Sequence, residues 1–384
     1  MNNDFKQRTL DLQSRMSSDN IDVLVTTNPD SIYYLSGVWG YVRLEFGRPT
    51  ILVVPKSGEP VLIAGQVEEE MAKAMTWLNH VEVFADGVGD EWRTPLLNAM
   101  NMFDRAILGV EMERVPGFVL QFLRQEAGTE KIMDGGRLLI EMRMIKTPQE
   151  IEILRQAGQV AAAMATSGRE VIADGVPEYE VALAAVLGGT RKAAEIMGEP
   201  EIGSFDSPVI HGHQSIQSGP YTSMGHRRST MRRIRKGEPA FMCFCGIAQF
   251  KHMKPGFDRT FYVSHVSDED ARIYGIGLAA QQAAIAAIRP GVTADDVSEA
   301  AIEVYREADY FRAIRTGRAI GFAVNEAPQL KSGDQTVLKA GMAFCVDGGI
   351  TQPGKRAARV GDSIVVTENG CEYLTDFPRD LAVL

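Results

Sequence analysis

Cysteine is scarce: the 384 residues hold only Cys243, Cys245, Cys345 and Cys371. That excludes a disulfide framework, and no CxxC pair offers a zinc-finger spacing. A run of about 18 apolar residues is also missing, so no membrane-spanning helix is expected. The opening MNNDFKQRTL has no apolar stretch of the signal-peptide kind. These absences predict a reducing, cytoplasmic setting. Positive charge is in deficit as well. Forty Lys and Arg against 50 Asp and Glu give a net charge of -10 and a pI near 5.3. Nucleic acid and anionic membrane both require a basic face, and are excluded as main partners. What is present in ordinary measure is apolar residue, 45%, and charge, 23%, the composition of a folded globular chain. The length suits two domains.

Residues 1–146 alternate helix and strand signals. β-Branched or apolar runs at 22–26, 51–54, 61–64, 81–84 and 106–110 read as strands, and residues 5–16, 67–77 and 117–126 as helices. Such alternation predicts an α/β domain. Thr147-Pro148-Gln149-Glu150 combines an N-cap, a proline at the first helical position and a glutamate at the third. A long helix is expected from there to about Ile172, and the domain boundary is placed before it. Residues 147–384 contain a weak repeat. Gly175-Val176-Pro177-Glu178-Tyr179-Glu180-Val181 and Gly291-Val292-Thr293-Ala294-Asp295-Asp296-Val297 each follow one helix and open another. Lys236-Gly237-Glu238-Pro239-Ala240-Phe241 and Lys339-Ala340-Gly341-Met342-Ala343-Phe344 each open a strand. Two copies of an α+β unit predict one curved sheet with helices outside, and a site between the halves.

Six histidines offer imidazole chemistry. His211 and His213 have an i,i+2 spacing but no third ligand at a usual interval, so a surface loop is the better reading. His226 precedes a basic run, Arg227, Arg228, Arg232, Arg233, Arg235 and Lys236, which reads as a solvated charged rim. Asp258 and Asp347 stand at strand ends, one in each repeat. Two carboxylates can grip a guanidinium or amidinium, and a histidine can move protons near neutral pH. In the first domain Tyr33, Tyr34, Trp39, Tyr41 and Phe46 cluster with Arg43 and Arg48. They form either an aromatic core or an apolar wall with an arginine for a substrate carboxylate.

Several segments resemble one family. Met142-Arg143-Met144-Ile145-Lys146, Gly175 to Leu183, Phe46-Gly47-Arg48, Asp258-Arg259-Thr260-Phe261 and Glu368-Asn369-Gly370 are similar to the pita-bread family of creatinase, aminopeptidase P and prolidase, and most of all to its creatinase branch. The resemblance implies an α/β amino-terminal domain (1–146) and a pita-bread catalytic domain (147–384) with a pseudo-two-fold repeat. The metallopeptidase branch holds a metal pair with two Asp, one His and two Glu. The matching positions here fall on Cys243 or Cys245, near Gly256, and on Arg318, Asp347 and Gly361. A guanidinium repels cations and only one carboxylate remains. A prolidase- or Xaa-Pro aminopeptidase-type metallopeptidase is therefore the disfavoured alternative, and no cofactor or metal is expected.

From the creatinase branch the resemblance implies a catalytic His226. It implies Asp258 and Asp347 in place of two substrate-gripping glutamates, Arg48 with Phe46 at the substrate carboxylate, and Arg318 in place of a histidine. The expected function is metal-independent hydrolysis of a C–N bond in a small guanidino or amidine carboxylate, by a cytoplasmic homodimer. Opening of a cyclic amidine, as in ectoine hydrolase, is one alternative. A non-catalytic binding protein on the same fold is another.

Overall fold

Strand-forming runs buried on both faces organise the first unit, Met1–Met142. The structure is a computed structural model and describes residues 2–40, 47–85, 87, 89–101, 106–199, 205–210, 215–310 and 315–384. The strands are β1 (Val23–Thr26), β2 (Ile51–Pro55), β3 (Val61–Gly65), β4 (Val81–Phe84), β5 (Leu108–Val110) and β6 (Ile132–Asp134). They form one sheet in the order β4-β3-β2-β1-β5-β6. The first five fall where β-branched runs stand in the sequence; β6, with only Ile132 apolar and half-buried, carries no such signal. Helices α1 (Asn2–Ser18), α2 (Pro29–Ser36), α3 (Glu69–Met75), α4 (Arg93–Asn101), α5 (Gly117–Ala127) and α6 (Gly136–Met144) accompany the sheet. The aromatic cluster is core where it is described. Tyr33 packs edge-on against Phe5 at 5.5 Å, and Tyr34 lies under the Arg8 guanidinium at 4.5 Å. Tyr41, Arg43 and Phe46 lie outside the described residues.

The second unit, Arg143–Leu384, carries the repeat. Helices α7 (Pro148–Val171) and α8 (Glu178–Met197) precede β7 (Ser215–Ser218), β8 (Pro239–Cys243) and β9 (Asp258–Tyr262). Helices α9 (Asp268–Ala287) and α10 (Ala294–Glu307) precede β10 (Gly317–Ala319), β11 (Glu326–Leu330), β12 (Ala343–Gln352) and β13 (Arg356–Thr367). Two short strands follow, β14 (Gly370–Tyr373) and β15 (Ala382–Val383). Among the described residues they form one nine-stranded sheet, β11-β10-β12-β13-β9-β8-β7, with β14 on β13 and β15 on β9. The two halves repeat in detail. Gly175 and Gly291 before the second helices, and Gly237 and Gly341 before the strands, all have positive φ. A side chain there would meet the Cβ penalty that glycine avoids. The caps are not repeated: Thr147 and Glu150 form a capping box on α7, the first helix of its half, whereas Thr293 and Asp296 form one on α10, the second helix of the other.

Each half buries its own apolar layer between helices and sheet. Met164, Val181, Met242 and Phe261 belong to one layer; Tyr274, Val297, Phe344 and Ile364 belong to the other. Burial of each large side chain contributes about 1.5–3 kcal/mol. Helix α9 approaches β12 so closely that a Cβ at Gly348 would lie 2.0 Å from the Gly277 carbonyl. That contact fixes the strand immediately after Asp347.

The basic run is a solvated rim in part: Arg228, Arg233, Arg235 and Lys236 are exposed, while Arg227 and Arg232 are half-buried. Arg227 pairs with buried Glu178 at 3.0 Å, Arg232 with partly exposed Glu238 at 2.8 Å, and Arg233 donates to the Gly175 carbonyl at 2.8 Å. Two of its six charges are thus drawn inward by internal carboxylates, and the other four face solvent.

Candidate active site

The chemically active side chains sit on one face of the second sheet, and strand register puts them there. Directly opposed residues in antiparallel strands share a face, as do residues two apart on one strand. Cys243 opposes Asp258, Asp258 opposes Gly361, and Gly361 opposes Asp347. One step along the strands, Ser363 opposes Cys345 and Cys345 opposes Arg318. Cys245 follows Cys243 by two residues. The result is a patch of three thiols, two carboxylates and one guanidinium.

Arg318 is the centre of the charge. It is 5% exposed, its Nε donates to the Val324 carbonyl at 2.9 Å, and its Nη1 donates to Asp347 at 3.1 Å. Its Nη2 is buried with no hydrogen-bond partner among the described residues. Cys345 donates to the other oxygen of Asp347 at 3.1 Å, and Cys245 Sγ lies 3.6 Å from Asp258 Oδ1. The thiols of Cys243 and Cys345 lie against Cys245. Those two contacts, with the Arg318 charge, hold the Cys245 thiol well below its ordinary range in spite of burial. The same contact and burial push Cys243 and Cys345 well up. Burial, then negative charge at Cys245 and Asp347, raises Asp258 well above the usual carboxylate range. Burial opposes the charge on Arg318, but the surrounding thiolate and carboxylates outweigh it and keep the guanidinium protonated.

The structure therefore joins Asp258, Asp347 and Arg318, and adds Cys243, Cys245 and Cys345. In the sequence Cys243 and Cys245 stand out only as occupants of a lost ligand position, and Cys345 not at all, because neither a CxC nor an isolated Cys has a usual ligand spacing. The alternation Cys243/Cys245 beside Cys345/Asp347 at two strand ends was the available signal. His226 stands in an exposed turn with φ 59, a left-handed conformation that histidine tolerates better than most residues. Arg48 belongs to the first unit, where its Nη2 donates to the Gly87 carbonyl at 3.4 Å. Phe46, His211 and His213 lie outside the described residues.

Residues 152–368 match the model of metallopeptidase family M24, and residues 8–145 match the creatinase/prolidase amino-terminal domain. The chain belongs to metallopeptidase family M24. Within and around M24, it is 30% identical to the agropine synthesis cyclase of Rhizobium rhizogenes, over 97% of this chain and 96% of that one. It is 28% identical to an Xaa-Pro dipeptidase of Pyrococcus furiosus, over 98% of this chain and all of the other. The crystal structure of dipeptidase PepE from Mycobacterium ulcerans superposes with a TM-score of 0.83, at 27% identity, covering 100% of this chain and 98% of that one.

These findings overturn the expected creatinase-like, metal-independent amidinohydrolase. Dipeptidases, not amidinohydrolases, recur among the similar proteins. The structure supplies a physical reason. Asp347, expected to grip a substrate's guanidinium, already holds the protein's own, from Arg318. A second guanidinium would meet a like charge in a buried place.

A metal pair of the M24 kind does not fit these residues either. Two of its five positions are Gly256 and Gly361, and their side-chain space is taken. A Cβ at 256 would stand 2.3 Å from Cys345 Sγ and 3.0 Å from Arg318 Nη2. A Cβ at 361 would stand 2.7 Å from Asp347 Oδ1 and 3.1 Å from Asp258 Cβ. A third position holds the Arg318 guanidinium, which has no lone pair to give. Restoring a single ligand is therefore expected to fail. Gly256→Asp should lower stability by about 1–3 kcal/mol, the usual cost of overpacking, without creating a tight site for hard cations such as Mn2+. The added Cβ is itself what collides, so Gly256→Ala should cost much the same. Urea midpoints and calorimetric Mn2+ titration read both effects, and an unchanged midpoint would show the space to be open.

Proposed function

We propose that this chain is a hydrolase of dipeptide-sized amides, with Xaa-Pro dipeptides as the first substrate class. The observation that carries this is the 28% identity to an Xaa-Pro dipeptidase over essentially the full length of both chains. The face of the second sheet suits such a substrate. The unpartnered Nη2 of Arg318 offers a charged donor for the carboxylate at the end of a dipeptide, and Asp347 holds the guanidinium in place. We assign His226 the transfer of a proton to the leaving nitrogen, because imidazole exchanges protons near neutral pH. Water adds to the amide carbonyl, the C–N bond breaks, and the nitrogen leaves with that proton. A homodimer is the proposed assembly. Leu183 and Leu187, one turn apart on α8 and 60% and 50% exposed, are apolar surface it would cover. A reducing compartment suits the four free cysteines.

The test is release of proline from a panel of Xaa-Pro dipeptides by the purified full chain. Turnover of at least one, with a product one water heavier in sum, is the expected result. A second reading rests on the 30% identity to a cyclase: the same face would close a ring within a small substrate. Mass spectrometry separates the two, since ring closure by dehydration loses a water and hydrolysis gains one. No dipeptide turnover, together with a product one water lighter, would replace the first reading by the second.

A further inference from the structure

We propose that Cys243, Cys245 and Asp258 form a binding site for one thiophilic divalent cation, Zn2+ foremost. Cys243 is the last residue of β8 and Cys245 stands two residues on, in the turn that follows, while Asp258 faces Cys243 across the β8–β9 ladder. One ligand atom from each lies within 4.8 Å of the other two. The Cys245 Sγ to Asp258 Oδ1 distance is 3.6 Å. Zinc binds thiolate sulfur at about 2.3 Å and carboxylate oxygen at about 2.0–2.2 Å, so two tetrahedral neighbours stand about 3.5–3.8 Å apart. The Cys245–Asp258 pair already has that spacing, and Cys243 lies within about 1 Å of it.

Donor chemistry selects the ion. Two thiolates favour zinc, cobalt or cadmium over the hard cations that carboxylate sets prefer. Three protein ligands leave the fourth tetrahedral position open, the arrangement of sites that bind a water or a substrate atom. Cys245 is only partly buried while Cys243 and Asp258 are buried, so the trio has one member that reaches the solvent side. Two thiolates and a carboxylate carry one negative charge more than a divalent cation removes. The Arg318 guanidinium on the same face is paired with Asp347, which holds that carboxylate away from a second ion. The site thus binds one ion where an M24 pair would need two.

The proposal does not depend on the dipeptidase reading, and its test reads binding rather than turnover. The reduced full chain is titrated with Co2+ alone. One equivalent should bind, with the near-ultraviolet charge-transfer absorption of cobalt–thiolate bonds and the intense visible bands of a tetrahedral ion. Zn2+ should displace it one for one, and elemental analysis after gel filtration should find one zinc per chain. Cys243→Ser and Cys245→Ser should each weaken binding roughly 100-fold or more, beyond the 10- to 100-fold loss typical of outer-shell partners. Cys371→Ser, on β14, should leave it unchanged. If a serine variant fails to fold, the wild-type cobalt spectrum still decides, because thiolate ligation shows in it directly. Absence of a thiolate band at saturating Co2+, or binding that survives both serine variants, overturns the proposal. Dipeptide turnover in the same preparation is a separate result and stands or falls by itself.

Discussion

Replacing Arg259 by Met should destabilise the second unit by about 3–5 kcal/mol, the cost of removing one partner of a buried ion pair. Arg259 is 1% exposed and lies on the opposite face of β9 from the active patch. All of its donor nitrogens are engaged. Nε donates to Pro378 O at 2.8 Å, Nη1 to Asp258 O at 2.8 Å and Gly361 O at 2.9 Å. Nη2 donates to Asp362 at 2.8 Å and Phe377 O at 3.1 Å. The guanidinium also lies over the Phe257 ring at 4.5 Å. No other side chain has five donors in a planar fork, so Arg259→Lys should recover only part of the loss. Asp362 would keep Thr375, Gln281 and Arg379, which limits the damage to a few kcal/mol. Two of the bonds hold the backbone carbonyls of Asp258 and Gly361, so the active face should loosen together with the core. Urea unfolding followed by the near-ultraviolet signal tests this. A loss below about 1 kcal/mol would show that the network relaxes around the missing cation.

His226→Asn should lower kcat on a dipeptide substrate roughly 100-fold or more, the usual scale for removing a general acid or base. Asparagine is the informative replacement because it tolerates the left-handed backbone that His226 adopts, whereas alanine would add strain. The backbone of the exposed turn should therefore be kept, and near-ultraviolet circular dichroism of the variant checks that the fold is intact. KM should move little, since proton transfer belongs to the transition state and not to ground-state binding. A variant that keeps more than about a third of the wild-type kcat would show that the proton donor is another residue.

Local chemistry was legible without coordinates. The Thr147 capping box needs only residues three apart, and it caps a helix of Pro148–Val171 where about 172 was expected as the end. The first five strands of the amino-terminal sheet announce themselves by short apolar, mostly β-branched runs, with both faces buried in β1, β2 and β5. The four glycines that mark the two halves are legible for a similar reason: each answers a local demand for positive φ. The active patch is a different case. Asp258, Asp347 and Arg318 could be picked out one by one, but not their pairing, and the expectation of a substrate guanidinium between the carboxylates was wrong because the protein brings its own. Arg318 and Asp347 are 29 residues apart, and Cys245 and Asp258 are 13 apart. Their meeting depends on the registers of β8, β9, β10, β12 and β13, in which a slip of one residue turns every side chain to the other face. The space at Gly256 and Gly361 depends on the same registers. The sequence by itself determined most of the long helices, the first five strands, the repeat and the family fold, since these rest on short-range pattern. Which donors face one another, and so which ion or substrate the face accepts, was decided only by the tertiary structure, because strand register is a long-range property that no local motif encodes.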